Sequence, residues 1–207
     1  MSDARETTSL SRHLLCAVPQ LLDPNFQRSV VLMLDHGEDG ALGLVLNNPM
    51  NTTIREVADS LELAWKGDPS ARIRLGGPVE QIRGWFLHDQ PGWDAEAEPL
   101  GTGLWLTTSL EAIARVEQDD FGGEDARFLF LLGYAGWAGG QLESEIAAGS
   151  WVLVPVLEPD QIARGSAGVS VDFLLKTEPA QMWTEALQAI GVDPQRLVGL
   201  QGNYDLH

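Results

Sequence analysis

The sequence predicts an α+β fold, and three observations carry that expectation. Apolar runs of strand length follow one another near the start with only short polar turns between them. Helix-period apolar stripes opened by capping signatures stand elsewhere in the chain. The regular strand–helix alternation of a doubly wound parallel sheet is missing. At 207 residues, 44% hydrophobic and 21% charged, the chain suits one hydrophobic core. A single domain across residues 1–207 is therefore expected, with the polar stretch 1–11 disordered.

His13 to Val18 is the first strand candidate. Ser29 to Leu34 and Leu42 to Leu46 flank the polar, glycine-containing turn from Asp35 to Gly40, which suggests an antiparallel pair. Neither run alternates, so both of their faces should be buried. Ile54, Val57, Ala58 and Leu61 then form a helical stripe, and Thr53 with Glu56 makes a capping box at its start. Arg72 to Leu75, Gly84 to His88 and Leu104 to Leu106 read as strands, and the polar stretch from Asp89 to Pro99 as an exposed loop. Thr108 and Glu111 repeat the capping signature ahead of Ile113 and Ala114. Ala126 to Gly133 is a strand candidate, and Gln141 to Ala148 a helix with Leu142 and Ile146 on one face and Gly149 as its stop. Ser150 to Val156 is the last strand. Pro179 opens the clearest helix, which carries Met182, Trp183, Ala186, Leu187 and Ile190 and ends at Gly191.

Thirty acidic residues against thirteen basic ones leave a net charge of −17. The basic residues are scattered singly, whereas phosphate binding needs clustered Lys and Arg to displace counterions. Nucleic acid is thus disfavoured as a partner. No apolar run approaches the roughly 18 residues of a membrane helix, and the start from Met1 to Ser9 is unlike a signal peptide. A cytoplasmic protein without membrane contact is expected. Cys16, the single cysteine, lies in an apolar run and reads as an inert, buried thiol.

Familiar chemical motifs are incomplete. Gly101 and Gly103 lack the third glycine of a dinucleotide loop. The glycine-rich run from Gly133 to Gln141 has no Lys-Ser/Thr, and Glu143 and Glu145 oppose an anion there. Gly165 to Gly168 is one residue short of a nucleophile elbow. There is no zinc-type cysteine pairing. Thr53 to Leu63 could open a helix-turn-helix, but Gly67 and Pro69 break the recognition helix that should follow. Two Asp/His neighbours remain, Asp35-His36 and His88-Asp89, which could hold a metal or do acid–base work if they met in space.

A series of strings, taken in order, resembles the bacterial YqgE/AlgH family of uncharacterised proteins. They are Pro19 to Pro24 with Phe26 and Arg28 to Val31, Gly40 to Asn47 with Pro49, and Gly76 to Val79 with Arg83, Gly84, Leu87 and His88. Leu106 to Ser109 follows, then Leu132 to Trp137 with Gly140 to Glu143, Glu145 and Ile146. The residues themselves suggest about four short helices, and the resemblance implies a mostly antiparallel, bifurcated, barrel-like sheet that helices flank. It implies no reaction, and its link to transcriptional regulation comes through a family name. Asn48 stands where a basic residue commonly follows the asparagine, and the end from Gln201 to His207 also departs from the family pattern.

Arg28, His36, Asn47, His88, Gln141 and Glu143 are polar residues hard to assign to folding alone. With the aromatic pair Tyr134 and Trp137 they form the candidate binding surface, a groove near the loop from Tyr134 to Glu143. The expected function is a non-enzymatic binding or regulatory protein with a protein or small-molecule partner. No cofactor, metal or catalytic residue is assigned, and the oligomeric state is open. The alternatives are a transcriptional regulator and an enzyme using the two Asp/His neighbourhoods.

Overall fold

The computed structural model describes residues 9–63, 65, 67–108 and 128–199. The strands are β1 (His13–Ala17), β2 (Val30–Gly37), β3 (Gly40–Val45), β4 (Pro49–Thr53), β5 (Arg72–Leu75), β6 (Val79–His88), β7 (Glu98–Gly101), β8 (Leu104–Thr107), β9 (Phe128–Ala138) and β10 (Trp151–Pro155). The helices are α1 (Ile54–Ser60), α2 (Gln141–Ala147), α3 (Pro159–Ala163), α4 (Val171–Lys176), α5 (Pro179–Gln188) and α6 (Pro194–Gly199). The class is α+β, as the sequence predicts. The helix expected from Thr108 onward lies outside the described residues.

Eight strands form one antiparallel path in the order β10-β1-β2-β3-β9-β6-β8-β7, curled into a half-barrel. The expected hairpin is the β2–β3 pair, closed by Gly37 opposite Gly40. The fork lies on β9. One edge of β9 pairs antiparallel with β3 from Ala135 to Ala138 and parallel with β5 at Leu131 and Leu132. The other edge carries β6, with Trp85 opposite the same Leu131. The chain therefore passes from one edge of β9 to the other through Gly76 to Pro78 alone. That crossing leaves no space for a Cβ. One built on Gly133 (φ +72°) would stand 2.6 Å from the Gly77 carbonyl oxygen, and one on Gly77 would run into the Tyr134 backbone.

Gly133 has a second effect. Before it, Phe128, Phe130 and Leu132 face the α1 side of the sheet; after it, Ala135 and Trp137 face the α2 side. A left-handed residue shifts the strict two-residue period of a strand by one, as at a bulge. One long strand can then serve two cores.

Both sheet faces are covered. The concave face holds Leu14, Cys16, Leu32, Leu44, Trp85, Leu87, Leu106 and Leu131, closed over by Leu174 and Leu175 of α4 and by Met182, Trp183 and Leu187 of α5. The convex face carries Leu15, Val31, Met33 and Val45 beneath Leu142 of α2. This double burial accounts for the missing alternation in β2 and β3. Burial pushes the Cys16 thiol up to about 12, which leaves it unreactive.

Several expectations are revised. β9 continues through Ala138, so Tyr134 and Trp137 belong to a strand and not to a loop. Leu10, placed in the disordered stretch, packs on the convex core; residues 1–8 lie outside the described set. Within the supposed exposed loop, Trp93 and Asp94 are buried and Glu98 begins β7. Trp93 packs against Phe86, so an aromatic anchor ties that segment down.

Candidate functional site

The signature between Gly133 and Ile146 forms an internal clasp. Gly140 is in the left-handed conformation at the start of α2, and one helical turn sets Gln141 and Glu145 on one side. Glu145 Oε2 accepts the indole N–H of Trp137 at 3.0 Å and that of Trp151 at 2.8 Å. Its Oε1 takes the Gln141 amide at 2.9 Å, while Gln141 Oε1 accepts the Ala138 N–H at 3.1 Å. Phe26 stacks on Trp137 and meets Trp151 edge-on. One carboxylate thus ties β9, α2 and β10 together. Trp137 is buried and Tyr134 packs edge-on against Trp85, so the aromatic pair is not a free surface. Glu145 was quoted in the family strings but not among the candidate residues, because its role depends on two tryptophans fourteen residues apart in sequence.

The other candidates fall into separate neighbourhoods. His36 Nδ1 faces the Leu10 N–H at 3.4 Å. Its Nε2 is 3.1 Å from Glu143 Oε1, close enough for charge attraction but outside hydrogen-bond angles. Asn47 bridges two backbone positions, accepting the Val30 N–H at 2.8 Å and donating to the Arg28 carbonyl at 2.9 Å. Arg28 itself has φ +51° and lies 5.6 Å over the Trp183 ring. Arg74, which the sequence did not single out, donates to the Leu46 carbonyl at 2.6 Å and ties β5 to the segment that follows β3. Burial lowers its pKa to about 10 despite the attraction of Glu178, so it is charged at neutral pH.

His88 is fully buried at the end of β6. Its Nδ1 accepts the Gln90 N–H at 3.3 Å, and its ring meets Trp93 edge-on at 4.5 Å. Desolvation lowers its pKa to about 4, against the opposing attraction of Asp89 and Asp94. Nearby, the Thr107 hydroxyl donates to Asp94. His88 pairs with Phe128 at one end of β9, whereas His36 sits opposite Ala41, which pairs with Trp137 near the other end. At about 3.3 Å per residue that is some 25–30 Å along the strand. The two Asp/His neighbourhoods do not meet. Among the described residues no group of three or more His, Cys, Asp or Glu side chains is arranged to hold a metal.

The open space lies elsewhere, at a seam where β7, an end strand of the path, faces β2 across the concave side of the half-barrel. Arg12, Glu158 and Thr102 clamp one end: Glu158 takes the Thr102 N–H at 3.1 Å and lies 3.5 Å from Arg12. Beyond the clamp is a cleft of about 520 Å³. Leu34, Leu42, Trp85, Leu100 and Leu106 line it, and the exposed side chains of Asp35, Arg83, Glu96 and Glu98 surround them. A smaller space of about 220 Å³ continues along the seam and shares Leu34, Pro99 and Leu100. Sequence reading missed this cleft because its walls come from segments some sixty residues apart.

A half-open, forked barrel with internal signature contacts and an open seam defines a small α+β protein class. The chain belongs to the AlgH-like family (DUF179), whose profile matches residues 14–195. A UPF0301 protein of Stenotrophomonas maltophilia is 42% identical over 95% of this chain and 97% of that protein. One from Myxococcus xanthus is 40% identical over 92% and 96%. The solution structure of the AlgH protein from Pseudomonas aeruginosa superposes with a TM-score of 0.69 at 30% identity, covering 100% of both chains. A protein from Corynebacterium diphtheriae shares the fold, with a TM-score of 0.65 at 21% identity over 90% of each chain. No helix among the described residues is long and apolar enough to cross a membrane.

Proposed function

We propose that the chain acts as one domain across residues 1–207, as a non-enzymatic binding or regulatory protein of the cytoplasm, and that its recognition site is the seam cleft. The observation that carries this reading is the 520 Å³ cleft itself, where Leu34, Leu42, Trp85, Leu100 and Leu106 stand among four charged side chains. The polar signature residues support it indirectly. Gln141, Asn47 and Glu145 spend their hydrogen bonds within the chain, away from the cleft.

Affinity capture from the protein's own cell extract tests the reading with two variants. Leu100→Trp fills the cleft wall, and Gln141→Ala alters the clasp on the opposite face. The expected outcome is loss of captured partners with Leu100→Trp at an unchanged melting temperature, and retention with Gln141→Ala. Capture that is indifferent to Leu100→Trp would rule the cleft out.

A further inference from the structure

We infer that the seam cleft receives an extended segment of a partner protein that carries lysine or arginine beside apolar side chains. This deepens the binding reading above and rests on it. Among the described residues three carboxylates, Asp35, Glu96 and Glu98, stand around the apolar side chains against one guanidinium, Arg83. That guanidinium is already engaged, 3.5 Å from Glu80 and 4.4 Å over the Trp85 ring. The rim is therefore negative where the walls are apolar. A cationic group on an aliphatic stem satisfies both, laying its methylenes on Leu34 and Leu100 and leaving its charge at the carboxylates. The whole chain, at −17, draws the same kind of ligand towards it.

Two features select a protein segment over a free amine. The cleft continues past Leu34, Pro99 and Leu100 into the second space, which makes an elongated channel suited to an extended chain. Next to Arg83, β6 loses its register with β9: Val79 pairs with Tyr134 and Gly84 with Leu132, so the extra residues between them form a bulge. Ile82 on that bulge is 96% exposed and Val79 is also exposed. An apolar contact there lies outside the cleft and is of use only to a ligand larger than the cleft.

The test uses fluorescence anisotropy with the intact protein and a fluorescein-labelled peptide, Gly-Lys-Leu-Arg-Leu-Lys-Gly. Because any basic peptide is attracted to so acidic a protein, two double variants of equal net charge are compared. Glu96→Lys with Glu98→Lys reverses the rim; Asp59→Lys with Glu185→Lys reverses two exposed acids elsewhere. Saturable binding that weakens at least tenfold in the rim variant and less than twofold in the control is expected. Equal weakening in both variants, or no binding by the wild type at millimolar peptide, would overturn the inference. Displacement of the peptide by equimolar spermine would overturn the choice of a protein segment. Failure of the peptide while partner capture still depends on Leu100 would overturn the cationic ligand and leave the cleft as the site.

Discussion

His88 illustrates how a residue suited to acid–base work can be committed to a neutral state. Its ring is buried against Trp93, and its Nδ1 is an acceptor for the Gln90 amide, a role that protonation at that nitrogen would abolish. With a pKa near 4 in the folded chain and about 6.5 when unfolded, the unfolded state binds more protons between those values. Stability must then fall as pH drops through that window. The loss attributable to His88 is about 2 kcal/mol by pH 5, from the linkage relation. Urea denaturation of the wild type and His88→Gln at pH 7.5, 6 and 5 checks this. The variant should be less stable at pH 7.5 but lose less on acidification, whereas parallel pH profiles would show that another group carries the dependence.

At the scale of elements, the clasp around Glu145 decides how α2 sits on β9 and β10. Removing the carboxylate leaves two indole N–H groups without their acceptor, and each unsatisfied buried donor costs about 1–3 kcal/mol. Glu145→Ala should therefore cost roughly 2–5 kcal/mol. Trp137→Ala should cost about 3–5 kcal/mol through the cavity it opens. Gln141→Ala, at an exposed position, loses one hydrogen bond to Ala138 and one to Glu145 and should cost about 1 kcal/mol. Chemical denaturation followed by tryptophan fluorescence orders the three. If Glu145→Ala unfolded at the wild-type midpoint, the carboxylate would have no part in holding these elements together. The same scale explains which elements the sequence concealed. β4 and β7 contain Pro49 and Pro99 at strand ends, and α3, α4 and α6 are five or six residues long, too short for a helical period to register.

For the whole molecule, charge sets the strongest expectation. A surface at −17 without a basic cluster repels a polyanion, and non-specific duplex affinity comes almost wholly from phosphate contacts. No shift of generic duplex DNA is expected at micromolar protein and physiological salt. A salt-sensitive complex in an electrophoretic or anisotropy assay would overturn this and favour direct transcriptional regulation. The same charge is compatible with a basic protein segment at the seam, because both act through the same field with opposite sign.

Class, strand order near the start, the capping box at Thr53 and the α5 helix were legible in the sequence because each follows from contacts within a few residues. Thr53 and Glu56 do cap each other, with the Thr53 N–H donating to Glu56 at 2.7 Å and holding its carboxyl below the usual range. The glycines at 76, 77 and 133 were legible as positions needing unusual backbone or close approach, but not as the crossing over β9 that requires them. The candidate site was less legible. Arg28, His36, Asn47, His88, Gln141 and Glu143 stood out by type, yet type does not reveal whether a polar group faces a ligand or another part of the chain. Only the tertiary structure could send His36 and His88 to opposite ends of β9, close Trp137 and Trp151 on one carboxylate, and set β7 across the cleft from β2. Those outcomes depend on contacts between residues far apart in sequence, which no local pattern encodes.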